Sequence, residues 1–466
     1  MENSNAANLK EKLFMERKNG LKKISGEKLD EVMAFSLGYK EFLNNAKTER
    51  EAVKTSVKMA EENGFKPYVI GETHKAGDRL YINNHEKSAI FIVMGEDAVQ
   101  NGITLSAAHI DSPRLDLKPN PLYEDIELAL LKTHYYGGLR KYQWTAIPLA
   151  LHGVFVKKDG TTVNVNIGED ENDPIFVVND LLPHLSAEQN KRPLRDGIKG
   201  EELNILIGSH PFNDDKESEL VKLNILNILY EKYGVTEEDF LSAELEAVPA
   251  FKARDLGIDR SMIGAYGHDD RVCAYPALKA IFDLSVPKKT AMCILADKEE
   301  IGSDGNTGLN SDILLHIMDD LCREQNGVLS LALRNSCCLS ADVNAAVDPT
   351  FKDVSESRNA AYLNYGVVIT KYTGSGGKGG TSDASAEYMA KIRKILDDAG
   401  VIWQTGELGK VDAGGGGTVA KYIASHGLEV VDLGVPVLSM HAPFETVSKL
   451  DVYMAYEAIS AFHKKA

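Results

Sequence analysis

The chain has 466 residues, of which 43% are apolar, and its formal net charge is −17. This length exceeds what one hydrophobic core usually supports, so we expect two domains, or one domain that carries a large insertion. The acidic charge argues against nucleic acid and anionic membranes as partners, because binding to phosphates requires a basic face and the sequence shows none.

The N-terminal segment M-E-N-S-N-A-A-N-L-K-E-K-L-F carries scattered charges and lacks the apolar region of a secretory signal. No stretch approaches the roughly 18 uninterrupted apolar residues that a membrane-spanning helix requires. We therefore expect a cytoplasmic protein. The cysteines form no CxxC pair and lie mostly in apolar runs, so we interpret them as small buried hydrophobes; they are Cys273, Cys293, Cys322, Cys337 and Cys338.

Up to about residue 70 the pattern predicts helices, because apolar residues recur three and four positions apart in L-D-E-V-M-A-F-S-L-G-Y-K-E-F-L. After this segment the chain alternates strands with helices such as A-S-A-E-Y-M-A-K-I-R-K-I-L-D-D-A-G, which ends on a glycine. Near-continuous apolar strands between helices indicate an α/β fold with a mixed, largely parallel sheet sandwiched by helices. The predicted strands are S-A-I-F-I-V-M-G, G-I-T-L-S-A-A-H-I, A-M-C-I-L-A, Y-G-V-V-I-T-K and L-E-V-V-D-L-G-V-P-V-L-S-M.

One region follows a different pattern. Residues 152–168, H-G-V-F-V-K-K-D-G-T-T-V-N-V-N-I-G, predict a β-hairpin that turns at Asp159-Gly160, with apolar side chains on one face and asparagines on the other. The polar segments that follow offer no core-forming pattern of their own. We therefore expect residues 115–250 to form an inserted, mainly antiparallel β domain, and residues 1–114 and 251–466 to form the two parts of the α/β domain.

Several predicted strands run directly into acidic or histidine side chains. In open α/β sheets, ligands bind beyond the carboxyl ends of the strands, so these side chains are candidates for one common cleft. The candidates are His109 and Asp111, His268, Asp269 and Asp270, Glu299 and Glu300, Asp342, and His441.

Histidines and carboxylates gathered in one cleft would desolvate and repel each other unless a cation neutralises them. Mixed nitrogen and oxygen ligands suit zinc or a comparable divalent ion. The number of candidates exceeds the three ligands that a single zinc needs, which favours two metals about 3.5–4 Å apart that share a bridging carboxylate. A carboxylate left over beside the metals would serve as a general base. The spacing of His109 and Asp111 also allows the carboxylate to hold the imidazole in one tautomer.

Each candidate also has a structural interpretation. A histidine at a strand end is more often a satisfied structural residue than a ligand, and Glu299 and Glu300 would fit a solvated turn. Asp269 and Asp270 would also fit as caps of the helix R-V-C-A-Y-P-A-L-K-A-I-F. The prediction of a site therefore depends on the convergence of all the candidates.

Taken in order, these segments resemble the aspartyl aminopeptidase and vacuolar aminopeptidase I family of dinuclear zinc exopeptidases. The shared motifs are S-A-A-H-I-D-S-P-R-L, Y-Y-G-G-L, D-K-E-E-I-G-S, S-A-D and D-L-G-V-P-V-L-S-M-H, and they cover nearly the whole chain. The resemblance implies a zinc-exopeptidase-like catalytic domain that releases the N-terminal amino acid from peptides, with a preference for Asp or Glu. It also implies two divalent metal ions; the ligand types accept zinc, cobalt and manganese.

The resemblance further implies which residues bind the two metals. His109 and Asp342 would bind one metal, and Glu300 and His441 would bind the other. Asp269 would bridge the two metals. The family commonly has L-D-N at the bridging position, whereas this chain has H-D-D, so Asp270 remains the alternative bridge.

Other roles also follow from the resemblance. Glu299 would be the general base, and Asp111 would orient His109. His184, in L-L-P-H-L-S, resembles an inserted-domain histidine that reaches the active site of a neighbouring subunit, with a structural role as its alternative. Lys371 or Lys378 would pair with an acidic substrate side chain, or would be solvated. The chain also departs from the family after the Y-G-G run, where W-T-A-I-P-L replaces a segment with R-D-L.

The resemblance implies self-association as well. Members of the family form tetrahedral homo-dodecamers through the inserted domain, and such a chamber would restrict substrates to peptides and unfolded chain ends. Two alternatives remain. A di-zinc deacylase of N-acyl amino acids would use the same ligands but would not require a free α-amino group. An inactive structural or binding shell would keep the fold, but the presence of every ligand and of Glu299 argues against it.

Overall fold

We describe the protein from a computed structural model that covers residues 5–214 and 216–466. Residues 1–4 and 215 lie outside this description. Residues 1–4 begin the segment that we interpret as lacking a secretory signal, so this part of the interpretation lies outside the described residues. No helix within the described ranges is long and apolar enough to cross a membrane. The α-helices span Asn5–Leu13, Gly26–Asn45, Glu49–Glu62, Leu220–Tyr233, His268–Phe282, Ile313–Glu324, Leu329–Asn335, Ala386–Ala399, Ala420–Ala424 and Lys449–Lys465.

A nine-stranded mixed sheet forms the centre of the described chain. Most neighbouring strands are parallel, and the antiparallel pairs lie toward the two edges of the sheet. Its strands follow the spatial order Lys66–Pro67, Arg79–Asn84, Ser88–Val93, Ala291–Ala296, Thr104–His109, Cys337–Ala341, Glu429–Gly434, Val367–Thr370 and Trp403–Thr405.

Helices cover both faces of this sheet. Side chains alternate along each strand, so Phe91 packs into one layer while its neighbours Ile90 and Ile92 pack into the other. The layer that contains Phe91 includes helices Gly26–Asn45, Glu49–Glu62, His268–Phe282, Ala386–Ala399 and Lys449–Lys465. The opposite layer includes helices Ile313–Glu324, Leu329–Asn335 and Ala420–Ala424. The predicted α/β class is therefore confirmed, and the cysteines are buried and unpaired as expected.

Several predicted elements have the predicted bounds, and one prediction is wrong. The strand A-M-C-I-L-A spans Ala291–Ala296, and helix Ala386–Ala399 ends at Gly400, whose φ is 69°. The run L-E-V-V-D-L-G-V-P-V-L-S-M, however, forms two strands in two different sheets, Glu429–Gly434 and Pro436–Leu438. The chain leaves the central sheet at Gly434, where a Cβ atom would lie 1.7 Å from the carbonyl oxygen of Asp342.

A seven-stranded antiparallel sheet lies between Arg114 and Pro249 in the sequence. The predicted hairpin forms there between Leu149–Val156 and Thr162–Ile167, and Gly160 in its turn has a φ of 86°. The division of the chain at residues 115 and 250 stays a prediction. The strand order is Thr162–Ile167, Leu149–Val156, Ala243–Pro249, Arg114–Asp125, Leu128–Tyr136, Ile205–Gly208 and Val177–Val178.

Two smaller sheets complete the described strands. A five-stranded sheet contains the strands on either side of His441, and strand Met262–Ala265 of this sheet leads into helix His268–Phe282. A two-stranded sheet joins the glycine-rich loops through Gly374–Ser375 and Gly415–Gly416. The five-stranded sheet has the order Arg254–Leu256, Met262–Ala265, Glu445–Ser448, Pro436–Leu438 and Asn344–Ala345.

Candidate metal centre

Three parts of the candidate site come from neighbouring parallel strands of the central sheet. His109 is the last residue of strand Thr104–His109. Glu299 and Glu300 begin a short 3-10 helix that follows the adjacent strand, and Asp342 follows the strand on the other side. Because parallel strands end at the same edge of a sheet, the fold gathers these side chains at that edge.

The remaining two side chains approach from the five-stranded sheet. Asp269 lies at the start of helix His268–Phe282 and has a non-helical backbone, with φ −80° and ψ 107°, and its peptide bond to Asp270 is cis. His441 lies in the loop between Pro436–Leu438 and Glu445–Ser448 with a φ of 64°. Both side chains are thus presented by irregular backbone opposite the strand ends.

The carboxylate of Asp269 lies between two imidazoles. Its Oδ1 is 3.1 Å from Nε2 of His109, and its Oδ2 is 3.1 Å from Nε2 of His441. The Asp269 side chain is only 4% exposed. One carboxylate that turns a different oxygen toward each of two ring nitrogens has the arrangement expected of a bridging ligand.

The other carboxylates divide between the two histidines. Oδ1 of Asp342 lies 3.7 Å from Nε2 of His109, and Oε1 of Glu300 lies 3.5 Å from Nε2 of His441. Oε2 of Glu299 is 4.0 Å from Nε2 of His109. The structure therefore brings the predicted ligands and the predicted base together in one cluster, and their division between two metals stays a prediction.

The buried oxygen atoms of this cluster lack partners that a cation would supply. Within the described residues, Oδ1 of Asp269 and Oε1 of Glu300 are buried and accept no hydrogen bond. Ligand atoms of His109, Asp269 and Glu300 lie within 4.8 Å of one another, and the same holds for His109, Asp270 and Asp342. Uncompensated buried carboxylate oxygens are costly, and mixed nitrogen and oxygen donors suit a divalent ion such as zinc. The residues present therefore fit divalent metal ions.

The pKa shifts agree with a need for positive charge. The pKa of Glu299 is raised to about 8, first by burial and then by the charges of Asp342 and Asp269, while His109 acts in the opposite direction. Burial also raises the pKa of Glu300 well above its usual range, and the charge of Asp269 acts in the same direction. A cation held between these groups would favour their ionised forms.

Asp111 is buried beside the candidate ligands and contacts three parts of the site. Its Oδ1 lies 3.3 Å from Nδ1 of His109. Its two carboxylate oxygens each accept a backbone N–H at 3.1 Å, one from Glu299 and one from Glu300. Asp111 thus lies where it can orient His109. It also anchors the turn that carries the candidate base, and nothing in the sequence indicated this second contact.

Sequence reasoning missed three supporting residues. The hydroxyl group of Tyr136 donates a hydrogen bond to Oδ2 of Asp111 at 2.9 Å. Nδ1 of His441 lies 2.6 Å from the carbonyl oxygen of Gly138. The buried Glu445 accepts the backbone N–H groups of Asp269 and His441. The Y-Y-G-G-L motif was a signal for the first two, but nothing in the sequence marked Glu445.

Two of the candidate histidines, His268 and His184, lie outside the cluster. Nδ1 of His268 lies 2.7 Å from the Tyr39 hydroxyl group and its Nε2 lies 3.2 Å from the Ile263 carbonyl oxygen. Burial lowers the pKa of His268 to about 3, so this residue has the structural role that was its alternative. His184 is exposed in the turn Pro183–Leu185 and is not among the residues that line the cavity at the cluster.

A cavity of about 280 Å³ opens beside the cluster. Among the described residues its lining contains no lysine or arginine. Lys371 and Lys378 instead both pair with Asp383, the latter at 2.8 Å. The cavity is lined by Asp269, Glu299, Glu300, Asp342, Val343, Asn344, Thr370, Thr373, Leu408, Gly415, Gly416, Gly417, Thr418, Asp432, Met440 and His441.

Histidines and carboxylates gathered at the strand ends of an α/β sheet, with a further carboxylate in reach, are the arrangement of metal-dependent hydrolases. Residues 42–463 match the family described as aminopeptidase I zinc metalloprotease (M18). A probable M18 family aminopeptidase 1 from Clostridium acetobutylicum is 52% identical to this chain, over 97% of this chain and 98% of the relative. The chain therefore belongs to the M18 family, and it is a metal-dependent aminopeptidase.

Solved structures agree with this assignment. The crystal structure of an M18 family aminopeptidase from Thermotoga maritima has a TM-score of 0.93 and 46% identity, over 97% of this chain and 100% of that one. The dodecamer of mApe1 from S. cerevisiae has a TM-score of 0.74 and 20% identity, over 91% of this chain and 95% of that one. The second comparison supports the fold alone.

Proposed function

We propose that the protein releases the N-terminal residue of peptides with two divalent metal ions and with Glu299 as the general base. The observation that supports this most strongly is the position of Asp269, whose two oxygens each lie 3.1 Å from a different histidine. Two zinc ions, or cobalt or manganese in their place, would polarise the scissile carbonyl group and lower the pKa of the attacking water. The proposed ligands are His109 and Asp342, Glu300 and His441, and the bridging Asp269.

Glu299 carries the proton transfers of the proposed reaction. It accepts a proton from the attacking water and then donates it to the nitrogen of the leaving amine. Its half-buried carboxylate lines the cavity and lies within 4.0 Å of His109, close to the proposed ligands. Asp111 holds the backbone of Glu299 and Glu300 in place and orients His109.

The charge of the cavity favours an aminopeptidase over the deacylase alternative. Asp342, Asp432 and Glu299 line it, and no described lysine or arginine does. The free carboxylate of an N-acyl amino acid would therefore find no cationic side chain in this lining, which supports the aminopeptidase over the deacylase.

A preference for Asp or Glu at the substrate N-terminus is a separate part of the proposal. Lys371 and Lys378 are the cations that would bind such a side chain, and Asp383 already pairs with both. An acidic substrate side chain would therefore have to displace Asp383 or share its partners. If an acidic substrate side chain binds these lysines, Lys371→Ala and Lys378→Ala will each raise KM for aspartyl substrates and leave KM for neutral substrates unchanged.

We also propose that residues 115–250 form the inserted domain through which the chain assembles into a homo-oligomer, as a tetrahedral dodecamer. The S. cerevisiae relative is a dodecamer, and the surface around His184 supports self-association. Leu181, Leu182 and Leu185 beside it are 52%, 50% and 68% exposed, and adjacent exposed apolar side chains commonly mark an interface. His184 would then reach the active site of a neighbouring subunit. Light scattering measures the mass, and His184→Ala should lower activity without changing that mass.

The test of the proposed reaction compares aminoacyl-nitroanilides with free and N-acetylated amino groups, and acidic with neutral residues. We expect the zinc-loaded wild type to hydrolyse only the compounds with free amino groups. Glu299→Gln should bind zinc normally but should lose nearly all activity. Turnover of the acetylated compounds would instead support the deacylase, and full activity of the variant would exclude Glu299 as the base. A zinc-loaded protein without any activity would support the structural shell.

A further inference from the structure

The segment Tyr136–Gly138 extends from the antiparallel sheet into the metal centre. Tyr136 ends the strand Leu128–Tyr136, and Gly137 and Gly138 follow it. No role for these residues follows from the proposed reaction, since none of them is a proposed ligand or base. Their contacts nevertheless reach both halves of the proposed ligand set.

Tyr136 acts on the half that contains His109. Its hydroxyl group donates a hydrogen bond of 2.9 Å to Asp111, and its side chain is only 9% exposed. The guanidinium group of Arg114 lies 3.9 Å from the centre of the Tyr136 ring, which favours a cation–π contact. Arg114 itself is fixed by ion pairs of 3.2 Å to Glu49 and to Glu246. The ring of Tyr136 therefore packs against a buried charge network, which limits the positions that its hydroxyl group can take.

The bond from Tyr136 matters because Asp111 has several partners. The same Oδ2 atom also accepts the backbone N–H of Glu300, and Oδ1 accepts that of Glu299 and lies 3.3 Å from Nδ1 of His109. A carboxylate with this many contacts can adopt few orientations. Tyr136 thus helps to fix the orientation of His109 and the position of the turn that carries Glu299.

Gly137 and Gly138 act on the half that contains Glu300 and His441. Gly137 has a φ of 74°, and a Cβ atom there would lie 3.0 Å from Oε2 of Glu300 and 3.2 Å from its Cβ atom. The carbonyl oxygen of Gly138 lies 2.6 Å from Nδ1 of His441. When Nδ1–H donates to this oxygen, the lone pair of Nε2 is directed toward Asp269 and Glu300.

We propose that Tyr136, Gly137 and Gly138 form a brace that positions both halves of the metal-ligand set, with Tyr136 as a positioning residue. The antiparallel sheet is thereby a part of the active site of its own chain, in addition to any role in assembly. This inference rests on the proposed function, because it assumes that the two halves bind metal.

The first test compares Tyr136→Phe with Tyr81→Phe. Tyr81 is a matched control, because it is also 9% exposed and its hydroxyl group also donates to a carboxylate, Glu61 at 2.7 Å, outside the site. Zinc affinity is measured by competition with a chromophoric chelator, and kcat and KM are measured with a nitroanilide. Loss of a residue that supports metal ligands typically lowers affinity or activity about 10- to 100-fold. We expect Tyr136→Phe to lower zinc affinity and kcat in this range with KM unchanged, and Tyr81→Phe to change neither.

The second test compares Gly137→Ala with Gly160→Ala. Both glycines have positive φ, but an added Cβ meets Glu300 only at Gly137, while at Gly160 it has nothing within 4 Å. Gly160→Ala therefore measures backbone strain alone. We expect Gly137→Ala to weaken zinc binding by at least about 10-fold relative to Gly160→Ala. This pair also decides the proposal if Tyr136→Phe does not fold.

The brace is overturned if Tyr136→Phe and Gly137→Ala bind zinc as tightly as their controls do, whatever their thermal stability. A loss of stability at unchanged zinc affinity would show that the segment is merely structural. If the wild type binds zinc but hydrolyses no substrate, the proposed function fails, while the zinc affinities still decide the brace.

Discussion

Glu445 accepts the backbone N–H of Asp269 at 3.1 Å, and so fixes the backbone of the proposed bridging ligand. Its second oxygen accepts the backbone N–H of His441 at 2.7 Å, and only 1% of the residue is exposed. A single buried carboxylate therefore sets the spacing between the proposed bridge and one of the histidines. This spacing decides whether Asp269 can face both imidazoles.

Glu445→Gln should therefore weaken the site without removing a ligand. The amide keeps one acceptor oxygen but turns an NH2 group toward one of the two N–H donors, which loses its partner. A buried N–H group left without a partner costs about 1–3 kcal/mol and displaces the backbone of Asp269 or His441, so we expect kcat/KM to fall by about 10-fold. The control is Glu457→Gln, which alters a carboxylate that pairs with Lys28 at 3.2 Å. Equal kcat/KM in the two variants would contradict the role of Glu445.

Substitution of the two adjacent aspartates separates the candidate bridges. Asp269→Asn removes a charge that faces both histidines, so we expect loss of at least one zinc ion and of activity. Burial raises the pKa of Asp270 well above its usual range, so a neutral amide should be tolerated there. We expect Asp270→Asn to retain two zinc ions by elemental analysis. The reverse pattern would identify Asp270 as the bridge.

Chelation should lower the thermal stability of the protein. Without cations, the carboxylates of Asp269, Glu300 and Asp342 repel each other in a buried site. An ion present at 100 times its dissociation constant stabilises the folded state by about 2.7 kcal/mol. Calorimetry should show a lower Tm after dialysis against EDTA and recovery after zinc is added. Asp269→Asn should respond less, and an unchanged Tm in the wild type would argue against the metal centre.

His152 should make the stability depend on pH. Its ring nitrogens lie 2.7 Å from Glu51 and 3.2 Å from Glu169. Burial alone would lower the pKa of His152, but hydrogen bonds to these glutamates raise it above the usual histidine value of 6.5. Protonation therefore favours the folded state, and this contribution is complete below pH 6.5 and is lost as the pH rises through the folded pKa.

We expect His152→Gln to lower Tm more at about pH 6 than at about pH 9. The measurement is the difference in Tm between wild type and variant at each pH. His85→Gln is the control, because His85 is exposed in the turn between strands Arg79–Asn84 and Ser88–Val93 and should give the same small difference at both values. If the difference in Tm between wild type and His152→Gln does not depend on pH, the protonation of His152 contributes nothing to stability.

Local patterns were sufficient to predict much of the fold. The strand Ala291–Ala296 and the helix that ends at Gly400 depend on apolar periodicity and on a glycine with positive φ, and both are local signals. The same signals failed at Gly434. There the chain passes between two sheets and its backbone lies close to the carbonyl oxygen of Asp342, and a continuous apolar run carries no signal of such a long-range contact.

The candidate site was predictable to the extent that its residues follow strand ends. His109, Glu299 and Asp342 do so, whereas the partners that hold them are distant in the sequence. Gly138 and His441, for example, are 303 residues apart, and the Gly138 contact uses a backbone carbonyl oxygen that every residue has. Contacts of this kind leave no composition signal, so they required the folded structure.

Anomalous diffraction at the zinc absorption edge, on crystals of the zinc-loaded protein, would show whether two metal ions share Asp269 as proposed. We expect two anomalous peaks about 3.5–4 Å apart, one beside His109 and Asp342 and one beside Glu300 and His441, each in contact with one oxygen of Asp269. A single peak, or two peaks without Asp269 between them, would contradict the account.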